Sequence, residues 1–355
     1  MGKYGYHVID ADGHGGDLPD WQARLPKEFA GHWEERKRRI AKHFANLVGV
    51  GVKETKGTAR VDAGQRPGMT DPKARIEDMD LEGIDQTVMF PGGAGEEWAG
   101  LDRGFAIALC RTLNDARAEF LRYNPGRLKS VAKLPMIDAD AAAAELRRCV
   151  AEHGMVGMVT PQHIREKNLD DPTFDVVWKT AQDLDVAVCV HGGGQAIDQV
   201  PLGVDRWTTR LEVHAFTHPV GQMAATMAFT VGGILHRFPQ LRVAFLEANT
   251  GWLPFWLDRI DEHWELTPEQ APKIDRKPSE YFLSGRCFVG MDPEEPDVPW
   301  VVKRCGEDVV VYASDYYHWD CAFPDTVKIV AERDDLSASA KKKILETNPQ
   351  RLYKL

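Results

Sequence analysis

The chain of 355 residues has no run of about 18 apolar residues, the length a membrane-spanning helix needs, so no membrane association is expected. Its first residues, MGKYGYHVID, lack the charged start and apolar stretch of a secretory signal. A myristoylation motif would need Ser or Thr at the sixth position, where Tyr6 stands. Basic charge is also in short supply. With 44 Lys and Arg against 54 Asp and Glu, the net charge is -10, which excludes sequence-independent binding to nucleic acid. The one basic run, EERKRR at 34–39, reads as a solvated helix face. Six cysteines are scattered with no C-x-x-C pair, which argues against a disulfide framework and against a structural zinc knuckle. That pattern suits a reducing compartment, and a cytoplasmic location is expected. Internal repeats and low-complexity tracts are absent.

What is present is an alternation of short apolar runs and longer helical patterns. The runs are YHVID, DQTVMF, LKSVAKL, MVGMVT, VAVCVH, LRVAFLE, CFVGMD and DVVVYASD. Asp71-Pro72 and Asp171-Pro172 mark helix starts, each an N-cap followed by proline in the first turn. Strands that are apolar throughout belong to parallel sheets covered on both faces. Eight of them separated by helices predict one α/β domain, a (β/α)8 TIM barrel spanning 1–355. The polar stretch 17–69 interrupts the pattern after strand 1. It reads as an insertion near the barrel mouth, a lid or an oligomer contact.

In such a barrel, reactive groups sit where the strands end. Strand 1 closes with Asp12-Gly13-His14, strand 5 with His191, strand 6 with Glu247 and strand 8 with Asp315, with His318 just beyond. Nitrogen and carboxylate groups of this kind bind Zn, Mn or Fe. Any one of them is as readily a turn or a cap; four strand ends closing alike point to a metal centre. Side chains two apart on a strand share a face, so Asp10, Asp12 and His14 are expected to point the same way, with Asp10 deeper and in a supporting role.

The segments VIDADGH, DPKARIEDMDLEGIDQTVMFP, DPTFDVVWKTAQDLDVAVCVHGGG, GGILHRFPQLRVAFLEANTGWLPFWLDRIDEHW, YASDYYHWD and KKKILETNPQRLYKL resemble, in order and spacing, the amidohydrolase superfamily. The similarity is to the branch of aminocarboxymuconate-semialdehyde and γ-resorcylate decarboxylases. It implies a divalent ion held by Asp12, His14, His191 and Asp315, with Asp315 also moving a proton. It also implies a homo-oligomer, a dimer, acting on a small-molecule substrate. The sequence departs from the family after strand 6, where a histidine in an H-x-G context gives way to Glu247-Ala248-Asn249.

The implied chemistry is metal-dependent hydrolysis or non-oxidative decarboxylation of a small carboxylated or cyclic compound. The alternative is a dinuclear non-haem iron monooxygenase, in which Glu247 and a further histidine complete a second metal site. His218 and His318 are the expected catalytic partners of Asp315. His218, before Pro219, is placed at a helix start, and His214 lies four residues earlier, after strand 5. Arg259 is the candidate for holding a substrate carboxylate.

Overall fold

The computed structural model describes residues 2–46, 66–91, 102–192, 202–203, 206–207, 209–318 and 320–355. Each apolar run forms a strand: β1 Ile9–His14, β2 Gln86–Phe90, β3 Leu128–Lys133 and β4 Gly157–Thr160. A small antiparallel hairpin, β5 His163–Ile164 and β6 Lys167–Asn168, carried no signal in the sequence because each arm is only two residues long. Then follow β7 Ala187–His191, β8 Val243–Leu246, β9 Cys287–Met291 and β10 Val310–Tyr312. The eight long strands pair in parallel in the order β1-β2-β3-β4-β7-β8-β9-β10. The ring is completed beyond β10, where the Asp315 amide donates to the Asp12 carbonyl at 3.0 Å. This is the (β/α)8 barrel expected from the alternation.

The helices that position the mouth are α1 Ala30–Asn46, α2 Pro72–Glu82, α3 Arg103–Leu121, α4 Ala139–His153, α5 Asp175–Asp183, α6 Arg210–Phe229, α7 Ile234–Arg237 and α8 Trp252–Leu266. None of the described helices is long and apolar enough to cross a membrane. Alternation along the strands divides the apolar side chains into two cores. Ala11, Val88, Phe90, Val131, Cys189, Leu246 and Phe288 fill the barrel, and the C-terminal Leu352 and Tyr353 pack into the same cluster. Met89, Ala132, Met158, Val188, Phe245 and Val289 face the helices. At about 1.5–3 kcal/mol for each large apolar side chain removed from water, these two layers dominate the stability of the fold.

Three local features differ from the pattern read in the sequence. β1 runs through the polar residues rather than ending before them. Within it Asp10 pairs with Thr87 but Gly13 with Met89, so β1 has one more residue than β2 over this interval. This bulge breaks the alternation. Ala11 belongs to the barrel interior, whereas Asp10 meets Thr87, Ser314 and Arg75 on the helix side. Asp10 therefore does not share a face with Asp12 and His14. Secondly, α6 begins well before His218. Thr209 and Glu212 form a capping box, and Pro219 lies inside the helix. Thirdly, the run at 34–39 lies on α1 and is exposed except at Arg36, which is buried. Of the 17–69 insertion, Trp21, Phe29 and Trp33 pack against Phe105 and Leu109 of α3, and 47–65 lie outside the described residues.

Candidate metal centre and active site

The bulge in β1 has a direct consequence at the mouth. With Asp10 turned to the helices, Asp12 and His14 enter the space between the strand ends. Gly13 makes the turn possible, because a Cβ there would sit 2.5 Å from Asp10 Oδ2, 2.6 Å from Arg75 Nη2 and 2.7 Å from Thr87 Oγ1. The outer residues hold this arrangement in place. The Ser314 amide and hydroxyl donate to Asp10 at 2.9 and 2.8 Å, which fastens β1 to the segment carrying Asp315. Arg75 donates to the His14 carbonyl at 3.2 Å, and Arg117 to the Gly15 carbonyl at 2.7 Å.

The expected ligand groups from β1, β7 and the end of β10 come together. His14 Nε2 lies 3.0 Å from Asp315 Oδ1 and 3.8 Å from Asp12 Oδ1, and His191 Nε2 lies 3.6 Å from Asp12 Oδ1. Ligand atoms of Asp12, His14 and His191 all lie within 4.8 Å of one another, and so do those of His14, Asp315 and His318. Asp12 Oδ1, His14 Nε2 and Asp315 Oδ1 are buried and make no well-directed hydrogen bond. Buried polar atoms left in this way cost about 1–3 kcal/mol each unless a partner is supplied. A divalent cation is the partner this donor set suits: two imidazole nitrogens and two carboxylates match Mn, Fe or Zn. His191 Nδ1 contacts the Gly192 carbonyl at 2.7 Å, which fixes its proton on that side and leaves Nε2 as the ligand atom.

Glu247 lies on the far side of His191 from Asp12 and His14. Its Oε2 lies 3.2 Å from His191 Nδ1, the ring edge opposite the one facing Asp12. The imidazole therefore separates Glu247 from an ion held by Asp12 and His14. On its other side Glu247 reaches His218 Nε2 at 3.8 Å and His318 Nδ1 at 3.5 Å. Burial alone would raise its carboxyl, but His191, His318 and His218 outweigh it and hold Glu247 well below the usual carboxylate range. Glu247 and Asp315 both have positive φ, 55° and 51°, in the left-handed region that non-glycine residues rarely adopt. Such local strain is concentrated where side chains must be aimed, here at the ends of two strands.

His318 fulfils its expected place beside Asp315, with Nδ1 2.7 Å from Oδ1 and its ring stacked on His14 at 3.9 Å between centroids. Burial pulls the His318 imidazole down, yet Asp315 and Glu247 raise it well above its ordinary value. Asp315 is correspondingly pulled down to about 2, since His318 and His14 overcome its burial. Burial takes His218 down to about 4 against the pull of Glu247. Arg259 is not at the mouth. It lies exposed on α8 in a groove with Met227, Trp256 and His263, which shares no residue with the cavity at the strand ends. The periodicity of α8 turns Leu257 and Ile260 inward, and that leaves Arg259 facing out.

Gln222 was missed in the sequence. Buried on α6, its amide donates to the Val190 carbonyl at 3.0 Å and to the Leu246 carbonyl at 2.8 Å. These are the residues just before His191 and Glu247, so Gln222 sets the spacing of the two strand ends. A glutamine in an otherwise apolar helix stretch was the available signal.

A parallel barrel with imidazoles and carboxylates gathered at its strand ends defines a class: barrels built around a divalent metal centre. The amidohydrolase family model matches residues 9–355, and the chain belongs to that family. A 2-amino-3-carboxymuconate-6-semialdehyde decarboxylase of Dictyostelium discoideum is 28% identical over 250 residues, 69% of this chain and 66% of that protein, just under two thirds of its length. A gamma-resorcylate decarboxylase of Polaromonas is 28% identical over 296 residues, 79% of this chain and 86% of the relative. The 5-carboxyvanillate decarboxylase of Novosphingobium aromaticivorans, solved with manganese and a nitrobenzoic acid, superposes with a TM-score of 0.76 at 22% identity, covering 99% and 97% of the two chains. The fold is thus that of these enzymes. The dinuclear iron oxygenase finds no counterpart among these relatives, which are decarboxylases.

Proposed function

We propose that the protein is a metal-dependent, non-oxidative decarboxylase of a small carboxylated aromatic or cyclic acid. The observation that carries this reading is the set of buried, undersatisfied ligand atoms of Asp12, His14 and Asp315, with His191 beside them, at the strand ends of a barrel related to decarboxylases. Asp12, His14, His191 and Asp315 would hold the ion. When bound, it supplies Lewis-acid charge for a substrate carboxylate or phenolate. The remaining work falls to side chains. His318 Nδ1 and Asp315 Oδ1 lie 2.7 Å apart and form the proton-handling pair. A proton from this pair goes to the ring carbon that bears the carboxylate. The carbon–carbon bond then breaks, its electron pair remains with the newly protonated ring, and carbon dioxide leaves. Solvent restores the proton to the pair. Phe90, stacked on His191 at 5.2 Å, keeps that ligand ring in place and water from its inner face.

The test is carbon dioxide release from manganese-loaded protein given 2,6-dihydroxybenzoate or 5-carboxyvanillate, with the decarboxylated ring identified as product. Turnover of either acid that is lost in Asp315→Asn is the expected result. Hydrolysis of an amide, ester or lactone with no carbon dioxide from any aromatic acid would overturn the reading. A cytoplasmic, dimeric enzyme is the form in which we expect this activity.

A further inference from the structure

The cavity at the strand ends is lined mainly by carboxylates. It measures about 70 Å³, space for roughly two waters. Its lining contains the five carboxylates of Asp12, Glu247, Asp292, Asp315 and Asp320, with His214, and among the described residues no lysine or arginine. A substrate that is itself an acid meets repulsion there. One divalent ion at the first centre offsets two of the five charges. Among the described residues lining this cavity no lysine or arginine is placed to seat a substrate's acidic group, and Arg259 is in another groove.

A second group of ligand atoms lies beside the first. His214 and His218 are one turn apart on α6, with ring centroids 4.2 Å apart. His218 Nδ1 contacts the His214 carbonyl at 3.0 Å, which places its proton on that nitrogen and leaves the Nε2 lone pair. Nε2 faces Glu247 Oε2 at 3.8 Å, so an acceptor looks at an acceptor. One ligand atom each from His214, His218 and Glu247 lies within 4.8 Å of the other two. Two imidazoles and a carboxylate from two different elements make a donor set for a first-row divalent ion. The His191 ring, with Glu247 at its Nδ1 and Asp12 at its Nε2, stands between this set and the first centre.

We propose that His214, His218 and Glu247 form a second divalent-cation site, separate from the Asp12–His14–His191–Asp315 centre, that seats the acidic group of the substrate. The role in substrate binding rests on the decarboxylase reading; the site itself does not. Gln222 aligns its two halves, since it lies on α6 and bonds to the backbone immediately before Glu247.

The experiment counts manganese ions bound per chain by equilibrium dialysis of the full-length protein, followed by elemental analysis. The wild type binds two, Asp12→Asn keeps the second ion, and His214→Ala and His218→Gln each bind one. His214 is only half-buried, so its variant stays folded if His218→Gln does not. One ion per wild-type chain, or two in His214→Ala, would overturn the site. If the decarboxylase reading fails, the count of two still stands, so the two failures can be told apart. With a turned-over aromatic acid, His214→Ala raises KM at least about tenfold and changes kcat less. An unchanged KM with one ion lost would overturn the proposed role.

Discussion

Two polar clusters lie back to back on β1, one residue apart, and they are built on opposite rules. On the helix side, Asp10 has each carboxylate oxygen met by donors: Ser314 and Asp12 amides on Oδ1, Thr87 and Ser314 hydroxyls on Oδ2. Arg75 supplies the countercharge at 3.8 Å, and both partners are buried. On the barrel side, Asp12 Oδ1, His14 Nε2 and Asp315 Oδ1 converge without a well-directed hydrogen bond to any of them. The same residue types thus serve two ends. A satisfied carboxylate holds the fold together, and an unsatisfied one waits for a cation. The bulge between Asp10 and Gly13 is what assigns each side chain to its cluster.

The comparison breaks most visibly in turnover. Asp315→Asn removes both a ligand and the partner of the His318 proton, and kcat falls by about 10²–10⁴-fold while circular dichroism stays that of the wild type. Asp10→Ala does the reverse. It leaves Arg75 buried without its countercharge and costs about 3–5 kcal/mol in urea unfolding. Asp12→Asn, made one step away, leaves metal-free stability unchanged or raises it, because it relieves crowding of acceptors. Chelation sharpens the contrast: stripping manganese held at about 100 times the Kd of this centre removes about 2.7 kcal/mol more from the wild type than from Asp12→Asn, which has lost only this ion. Gly13→Ala forces a methyl into Asp10, Arg75 and Thr87, and overpacking of this kind costs about 1–3 kcal/mol.

The smallest effect is a pH dependence on the helix side. Glu82 is buried beneath Thr326, and burial raises its carboxyl to about 7. The folded state therefore binds this proton more tightly than the unfolded chain. Its contribution is fully present below pH 4.5 and is lost as pH rises through about 7. Glu82→Gln flattens that decline and gains about 1–2 kcal/mol at pH 8 relative to the wild type, read from unfolding curves across pH.

Much of this was legible in the sequence because it depends on local pattern. Continuous apolar runs between helical periodicities gave the eight strands, and the rule that barrels work at strand ends led to Asp12, His14, His191, Asp315 and His318. What pairing decides was not legible. The bulge that parts Asp10 from Asp12 exists only in relation to β2. Alternation within β1 alone gave the wrong face for Asp10. The start of α6 was written as Thr209-x-x-Glu212, a signal outweighed by Pro219, whose position inside the helix no local rule favours. Arg259 had suitable chemistry and the wrong face of α8. Glu247 was read as a candidate for a second metal site with a histidine, but which edge of His191 it meets is a matter of three-dimensional packing.

The central claim is that Asp12, His14, His191 and Asp315 form a metal centre and the Asp10 cluster does not. Anomalous scattering from crystals grown with manganese tests it directly. The account predicts a peak at about 2.0–2.3 Å from ligand atoms of those four residues, at ordinary bond lengths for such donors, and none near Asp10. Absence of a peak among the four, in crystals that contain manganese, would contradict it.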